Sequence, residues 1–127
     1  MTFNPKFYRC EICGQVISVL NDEGIDLVCC GQDMTLLKPN SSDGAGEKHV
    51  PAITVDGDKL RADIGSVAHP MTEGHHIEWV YLLQENGGQR RILDPAAAPC
   101  AIFDISQGKP VAVFAYCNLH GLWVAEL

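Results

Sequence analysis

The sequence predicts a mainly β protein in which a small N-terminal module precedes a seven-stranded immunoglobulin-like β-sandwich. Short apolar stretches alternate with clusters of Gly, Pro, Asn and Asp, which is typical of strands joined by turns, and no stretch of useful length shows helical periodicity. Cysteine and histidine are unevenly distributed along the 127 residues: four of the six cysteines precede residue 31, and all five histidines lie between His49 and His120. We therefore expect two parts with different chemistry.

The predicted N-terminal module covers residues 1–37. A short strand enters a tight turn within residues 8–14, polar and apolar residues alternate over 15–20, and residues 21–24 form another turn. A module of this size buries too little apolar surface to be stable alone, so we expect a structural metal or a similar staple.

Residues 38–46 are polar and rich in turn formers, which predicts a linker. The sandwich domain is predicted over residues 47–127, where turn sequences such as Asp56-Gly57-Asp58 separate seven strand-like stretches. These stretches are residues 50–55, 59–64, 76–84, 89–93, 100–105, 110–117 and 122–127. Seven short strands with regular turn spacing indicate an immunoglobulin-like sandwich.

Charge and composition exclude several classes of protein. With 9 Lys+Arg against 16 Asp+Glu, the formal net charge is -7, which argues against a nucleic-acid partner because phosphate binding requires clustered basic side chains. The 46% apolar content argues against disorder, no apolar run approaches the ~20 residues that span a bilayer, and residues 1–6 lack the apolar core of a signal peptide. We expect a soluble, cytoplasmic protein, in which cysteines serve as metal ligands or catalysts more often than as disulfides.

The four N-terminal cysteines form two pairs, Cys10-x-x-Cys13 and the adjacent Cys29-Cys30. Cys10 and Cys13 share one turn, where both sulfurs can reach one ion, and four thiolates suit tetrahedral zinc or iron. A thioredoxin-like redox pair would need a βαβ context that is missing here, and a disulfide between adjacent cysteines is strained. A metal site is therefore predicted, and these residues leave open whether it takes zinc or iron.

A second group of metal-binding residues lies in the sandwich. Cys117-x-x-His120 has chelate spacing at a strand end, and the alternation of side chains along that strand predicts that the Cys117 sulfur faces the apolar interior. His49 and His69 lie close to prolines, which restrict the local backbone. Several imidazoles and one thiolate suit iron, copper or zinc, so the metal remains open on chemical grounds.

Together these motifs resemble those of the desulfoferrodoxins, the two-iron class of superoxide reductase, along essentially the whole chain. The N-terminal cysteine pairs resemble the desulforedoxin-type iron centre of that family, and their completeness separates the chain from the one-centre neelaredoxins. Three further segments of this chain resemble the catalytic motifs of the family. They are Glu47-Lys48-His49-Val50-Pro51, His69-Pro70-Met71-x3-His75-x-Ile77-x-Trp79, and Cys117-Asn118-Leu119-His120-Gly121.

The resemblance implies two non-haem iron ions per chain. One would be an FeCys4 centre on Cys10, Cys13, Cys29 and Cys30. The other, an FeHis4Cys centre, would have four equatorial imidazoles and one axial thiolate, supplied by His49, His69, His75, His120 and Cys117.

The resemblance also implies roles for residues beside the catalytic iron. Glu47 would occupy the open sixth position in the oxidised state and Lys48 would lie near it, which makes these two the implied catalytic residues. His76 would not be a ligand, because the His-x-Ile-x-Trp register selects His75. Cys100 has no role in the motifs, and we expect it to pack as a small buried residue on a strand.

The implied activity is the one-electron reduction of superoxide to hydrogen peroxide, with superoxide detoxification as its role. The module would be desulforedoxin-like or rubredoxin-like, and its iron would carry single electrons. The sandwich would be the neelaredoxin-like superoxide reductase domain. The family implies rubredoxin or a similar reductant as electron donor, and a homodimer.

Two alternatives belong to other functional classes. The first alternative is a cupredoxin-like or rubredoxin-like electron-transfer protein, which would transfer electrons without catalysing a reaction. A blue-copper site uses two His, one Cys and a weak axial Met, so a cupredoxin-like site would leave two of the histidines unexplained. The other alternative is a non-catalytic zinc-binding protein. Metal analysis separates the three, because they predict two irons, copper or zinc.

Overall fold

The computed structural model describes residues 5–127. The first four residues of the predicted module therefore lie outside the described residues. The prediction that residues 1–6 are not a signal peptide falls mostly on the same four residues. The described chain divides into two compact units, one ending at Lys38 and the other formed by Pro39–Leu127. No helix within residues 5–127 has the length and apolar character needed to cross a membrane.

The described part of the N-terminal unit contains five short strands. They are β1 (Lys6–Arg9), β2 (Val16–Val19), β3 (Val28–Cys29), β4 (Gln32–Asp33) and β5 (Thr35–Leu36). One antiparallel sheet has the order β2-β1-β5, and β3 pairs with β4. The first strand ends at Arg9, and the predicted tight turn follows directly, where the Gly14 N–H donates to the Cys10 carbonyl at 2.9 Å.

The second unit contains one short helix and seven strands. They are α1 (Gly46–His49), β6 (Pro51–Asp56), β7 (Lys59–Ile64), β8 (Ile77–Gln84), β9 (Gly87–Ile92), β10 (Cys100–Asp104), β11 (Pro110–Cys117) and β12 (Gly121–Glu126). The sheets have the orders β10-β7-β6 and β12-β11-β8-β9, and all pairings are antiparallel. All seven predicted strands are confirmed, with bounds that differ by at most two residues. The helix has only four residues, too few to give a periodic pattern, and the sequence did not predict it.

One apolar core joins the two sheets of the sandwich. Alternate residues of β7, among them Leu60 and Ile64, are fully buried against inward-facing residues of β8 and β11. The last inward position of β11 is Cys117, which is 0% exposed, so the prediction that its sulfur faces the interior is confirmed.

The strand register gathers the candidate ligands. The start of β6 pairs with the end of β7, where Pro51 faces Ile64, and the end of β11 pairs with the start of β8, where Cys117 faces Ile77. His49 precedes β6 and His69 follows β7, while His75 precedes β8. The histidines therefore lie on the segments that flank these paired strand ends.

Candidate metal centres

Five predicted ligands of the sandwich meet at one point. Their donor atoms all lie within 4.8 Å of one another, and the residues are His49, His69, His75, Cys117 and His120. His49 ends α1, Cys117 ends β11, and His120 lies in the turn between β11 and β12. The fold thus brings together side chains that are separated by up to 71 positions in the sequence.

The four imidazole rings form a square. Neighbouring ring centroids lie 4.5 Å apart for His49 and His69, 4.6 Å for His69 and His75, 5.1 Å for His75 and His120, and 4.9 Å for His120 and His49. The His49–His75 diagonal is longer, at 6.4 Å. Neighbouring rings are close to perpendicular, with interplanar angles between 72° and 89°. His49 therefore lies across the square from His75.

Hydrogen bonds decide which ring nitrogens face the centre of the square. His49 Nδ1 lies 2.7 Å from the Ala45 carbonyl oxygen and His69 Nδ1 lies 2.6 Å from that of Pro70. Because carbonyls only accept, each Nδ1 donates its proton outward and each Nε2 keeps a lone pair. His120 instead presents Nδ1, which lies 3.2 Å from His49 Nε2.

The converging nitrogens fit a bound cation. The Nε2 atoms of His49 and His69 are 3.1 Å apart, so two lone pairs face one another. His75 Nε2 is buried without a hydrogen-bond partner among the described residues. Ligands at right angles around a metal, each about 2.1 Å from it, lie about 3.0 Å apart, close to the observed spacing. A metal ion satisfies all these nitrogens at once.

Cys117 supplies the sulfur of this group. Its Sγ lies 3.4 Å from His69 Nε2 and 3.9 Å from His120 Nδ1, and the His120 backbone N–H donates to it at 3.4 Å. Burial raises the pKa of the Cys117 thiol, although the Leu119 and His120 amides act in the opposite direction. The thiolate therefore depends on a bound cation for its stability.

Burial lowers the pKa of three of the imidazoles, which favours the neutral form that binds metals. It lowers the pKa of His69 to about 4, against the opposing effect of the hydrogen bond to Pro70. Burial also lowers the pKa values of His49 and His75, and the positive charge of Lys48 adds to both shifts. Neutral imidazoles at physiological pH are competent ligands, and Lys48 places a positive charge near two of them.

The segment predicted as a linker takes part in this centre. It belongs to the sandwich unit from Pro39 onward, and Ser42 Oγ donates to the His120 carbonyl, which also accepts from Trp123 Nε1 at 3.1 Å. The Trp123 indole stacks on His49, with ring centroids 4.7 Å apart. The sequence did not predict the roles of Ser42 and Trp123. These side chains contact the backbone carbonyl of His120 or the ring face of His49, and such contacts produce no recognisable spacing of residues in the sequence.

Gly44→Ala is expected to disrupt the histidine square. A Cβ at this position would lie 2.9 Å from His49 Cε1, 2.9 Å from Trp123 Cζ2 and 3.0 Å from His120 Cβ. Overpacking of this kind costs about 1–3 kcal/mol and here displaces two ligands. Metal content is expected to fall in the sandwich and to persist in the N-terminal unit. Gly46→Ala is the matched control, because its Cβ meets nothing within 4 Å; equal metal loss in both variants would contradict the expectation.

The second predicted group, in the N-terminal unit, is also assembled. The sulfurs of Cys10, Cys13, Cys29 and Cys30 lie within 4.8 Å of one another. Cys13 Sγ is 3.7 Å from Cys29 Sγ, and the adjacent Cys29 and Cys30 sulfurs are 3.9 Å apart. A regular tetrahedron with metal–sulfur distances of about 2.3 Å requires about 3.8 Å between sulfurs. The four sulfurs therefore fit one tetrahedral ion.

The local backbone prepares these cysteines for ligation. Cys30 and Gly31 have φ values of 54° and 78°, which close the β3–β4 turn and leave both adjacent sulfurs on the same ion site. The backbone N–H of Cys13 donates to Cys10 Sγ at 3.5 Å and, as the main cause, lowers the pKa of Cys10 to about 6. Cys10 is therefore available as a thiolate at neutral pH.

The structure places the remaining predicted residues outside both donor groups. Glu47 is exposed and Lys48 is half-buried on α1. His76 Nδ1 lies 2.8 Å from the Thr72 carbonyl oxygen. Cys100 was expected to be buried but is only partly buried, because it opens β10 on the face opposite the buried Ala101.

Comparisons with known proteins agree with these two groups. The family model "Desulfoferrodoxin" matches residues 41–126, and "Desulfoferrodoxin, N-terminal domain" matches residues 4–37. The desulfoferrodoxin of Nitratidesulfovibrio vulgaris is 48% identical over 121 residues, which cover 95% of each chain. The superoxide reductase of Pyrococcus horikoshii is 37% identical over 105 residues, which cover 68% of this chain and 91% of that protein. The crystal structure of the superoxide reductase from Treponema pallidum aligns with a TM-score of 0.82 at 29% identity, covering 98% of this chain and all of the other.

Proposed function

The chain belongs to the desulfoferrodoxin family, and from this premise we propose that it is a superoxide reductase. The reaction takes one superoxide anion, one electron and two protons to hydrogen peroxide, and its role would be superoxide detoxification. The observation that carries the proposal is the square of four imidazoles beside one buried thiol, a donor set suited to a single redox metal.

Ferrous iron held by these five donors would supply the single electron. The chain's own contribution begins with Cys117, whose anionic sulfur balances charge and donates electron density toward the bound ion. The outward hydrogen bonds of His49 and His69 fix their rings and direct Nε2 inward. Four imidazoles exceed the two of a blue-copper site, so the cupredoxin-like alternative fits this geometry less well.

Glu47 and Lys48 complete the proposed site. Both lie on α1 immediately before the ligand His49. We assign Lys48 the task of attracting the substrate anion, because the chain carries a formal net charge of -7 and repels anions in general. Glu47 is proposed as a carboxylate that would bind the iron in its oxidised state.

Lys48→Ala is expected to slow the reaction with superoxide on the order of tenfold and to weaken its dependence on ionic strength, because local positive charge steers anions to the site. The measurement is the second-order rate constant after pulse radiolysis at several salt concentrations. Lys109→Ala is the matched control, since it removes the same charge from an exposed position before β11. An unchanged rate constant in Lys48→Ala would contradict the proposed role of Lys48 in attracting superoxide.

The proposal extends to the organisation of the protein. Residues 1–37 would be the FeCys4 electron-carrier domain and residues 47–127 the catalytic domain. Residues 38–46 would connect them, and from Pro39 onward this connection also packs with the catalytic unit. A rubredoxin-like reductant would supply electrons to a cytoplasmic homodimer. The support is indirect: both donor groups are assembled within their own compact units.

The deciding experiment is rapid mixing of the reduced protein with superoxide. One hydrogen peroxide per iron oxidised in the sandwich, with no dioxygen formed, is the expected result. Dioxygen formation would indicate dismutation, and a protein that holds zinc at both sites would be non-catalytic.

A further inference from the structure

We propose that Asn118 is a positioning residue for the sandwich metal, because its side chain fixes the turn that carries His75 against the strand end that carries Cys117. Asn118 lies between the two metal ligands Cys117 and His120, but both polar atoms of its own side chain are hydrogen-bonded to backbone groups of Gly74 and His76. The inference rests on the proposed function only in that the five donors hold iron.

Asn118 makes three hydrogen bonds to the segment around His75. Its Nδ2 donates to the Gly74 carbonyl at 3.0 Å, its Oδ1 accepts from the His76 backbone N–H at 2.9 Å, and its own backbone N–H donates to the His76 carbonyl at 3.2 Å. The bonds enclose His75 on both sides along the chain. A single residue thereby fixes the backbone immediately before and after a ligand.

These bonds lie where the regular pairing of β8 with β11 becomes irregular. Tyr116 pairs with Trp79 but Cys117 pairs with Ile77, so Glu78 is an extra residue in β8. The Glu78 carbonyl accepts from Leu93 instead, at 3.0 Å. Beyond this irregularity, Asn118 keeps the end of β11 in contact with the residues that precede β8. Its side chain makes the hydrogen bonds there that backbone groups make along a regular strand pair.

The turn that carries His75 has its own internal hydrogen bonds. The Thr72 backbone N–H donates to the His75 carbonyl at 3.0 Å, and the His75 N–H donates to Thr72 Oγ1 at 3.1 Å. These bonds fix the shape of the turn without reaching Cys117. The hydrogen bonds of Asn118 instead fix the position of the turn relative to Cys117. Because His75 lies across the square from His49, a shift of the turn would move these two ligands apart.

The chemistry at this position requires an amide. One atom must accept from the His76 N–H and the other must donate to the Gly74 carbonyl, and asparagine carries an acceptor and a donor on one planar group. Asn118→Asp keeps the acceptor for the His76 N–H but loses the hydrogen bond to Gly74, because a carboxylate oxygen and a carbonyl oxygen are both acceptors and repel each other. Asn118→Ala removes both groups.

The test measures how fast a chelator extracts iron from the sandwich of the full chain. Loss of a group that orients a ligand typically costs 10–100-fold in metal affinity, so we expect extraction at least about tenfold faster in Asn118→Ala and an intermediate acceleration in Asn118→Asp. The N-terminal iron serves as an internal reference and is expected to leave at the wild-type rate. A changed ferric absorption of the sandwich centre is the accompanying spectroscopic signature.

Asn86→Ala is the matched control. Asn86 lies in the β8–β9 turn, at the opposite end of β8 from His76, and its Nδ2 donates to the Gln107 carbonyl at 2.8 Å. The control therefore removes a comparable amide that joins two loops, and it is expected to keep the wild-type extraction rate. Thermal unfolding of the metal-free proteins compares the general loss of stability in the two variants.

The outcomes separate the inference from the proposed function. Wild-type extraction rates in both Asn118 variants, or equal acceleration in Asn86→Ala, would overturn the role of Asn118. If Asn118→Ala fails to fold, Asn118→Asp decides alone. A wild-type protein that holds sandwich iron but does not reduce superoxide would refute the proposed function and leave the extraction test valid. A wild-type sandwich that retains no iron would overturn both.

Discussion

Replacing Cys117 with serine is expected to abolish superoxide reduction and to release most of the sandwich iron. Cys117 is the one sulfur among five donors, and it is 0% exposed. A serine hydroxyl occupies nearly the same space but stays protonated near neutral pH, so the ion would face four neutral imidazoles in an apolar environment. The electron-donating thiolate would be lost as well. We expect the rate to fall by more than about 100-fold, beyond the effect of losing a supporting residue.

The measurement for Cys117→Ser combines iron per chain, the ferric visible spectrum and the rate of superoxide consumption. Absorption from sulfur-to-iron charge transfer in the sandwich should vanish while that of the N-terminal centre persists. Cys100→Ser provides the matched control, because Cys100 lies on a sandwich strand outside both donor groups. A Cys117→Ser protein that retains its iron and its rate would refute the assigned role of the sulfur.

The sequence contained most of the information on the fold because the strands of the sandwich are strongly patterned. Two-residue turns bring Asp56 opposite Lys59 and Gln84 opposite Gly87, and turn-forming residues mark both places. Side chains alternate between core and solvent along β7, as the period of a strand requires. The helix α1 gave no signal, since one turn is too short to show a helical period.

The donor groups were predictable for a different reason. Metal ligands need particular residue types, so cysteines and histidines are visible in a sequence even when 71 positions separate two that meet. The groups that support them are chemically ordinary. Ala45 acts through its carbonyl, Gly44 through the lack of a side chain, and Asn118 through an amide that resembles any turn residue. Only their positions in the folded chain reveal these contributions.

Replacing Cys30 with serine is expected to remove the N-terminal iron and to unfold that unit, while the sandwich stays folded. Among its described residues, the unit buries few apolar side chains, namely Phe7, Cys10 and Met34. Structural metal ions supply about 10–16 kcal/mol of folding free energy in small domains, so losing one of four thiolates removes the main stabilising interaction. Iron content should fall from two ions to one per chain. Hydrogen exchange should become fast in the N-terminal unit alone.

The same variant tests whether the two centres have separate roles. The left-handed conformation at position 30, with φ of 54°, is equally unfavourable for cysteine and serine, so the change acts through the ligand and adds no backbone strain. All five sandwich donors lie between His49 and His120, within the unit Pro39–Leu127. We therefore expect the prereduced variant to consume superoxide at the wild-type second-order rate. A rate that falls together with the loss of the N-terminal iron would mean that this iron takes part in the reaction itself, and the division into an electron carrier and a catalyst would fail.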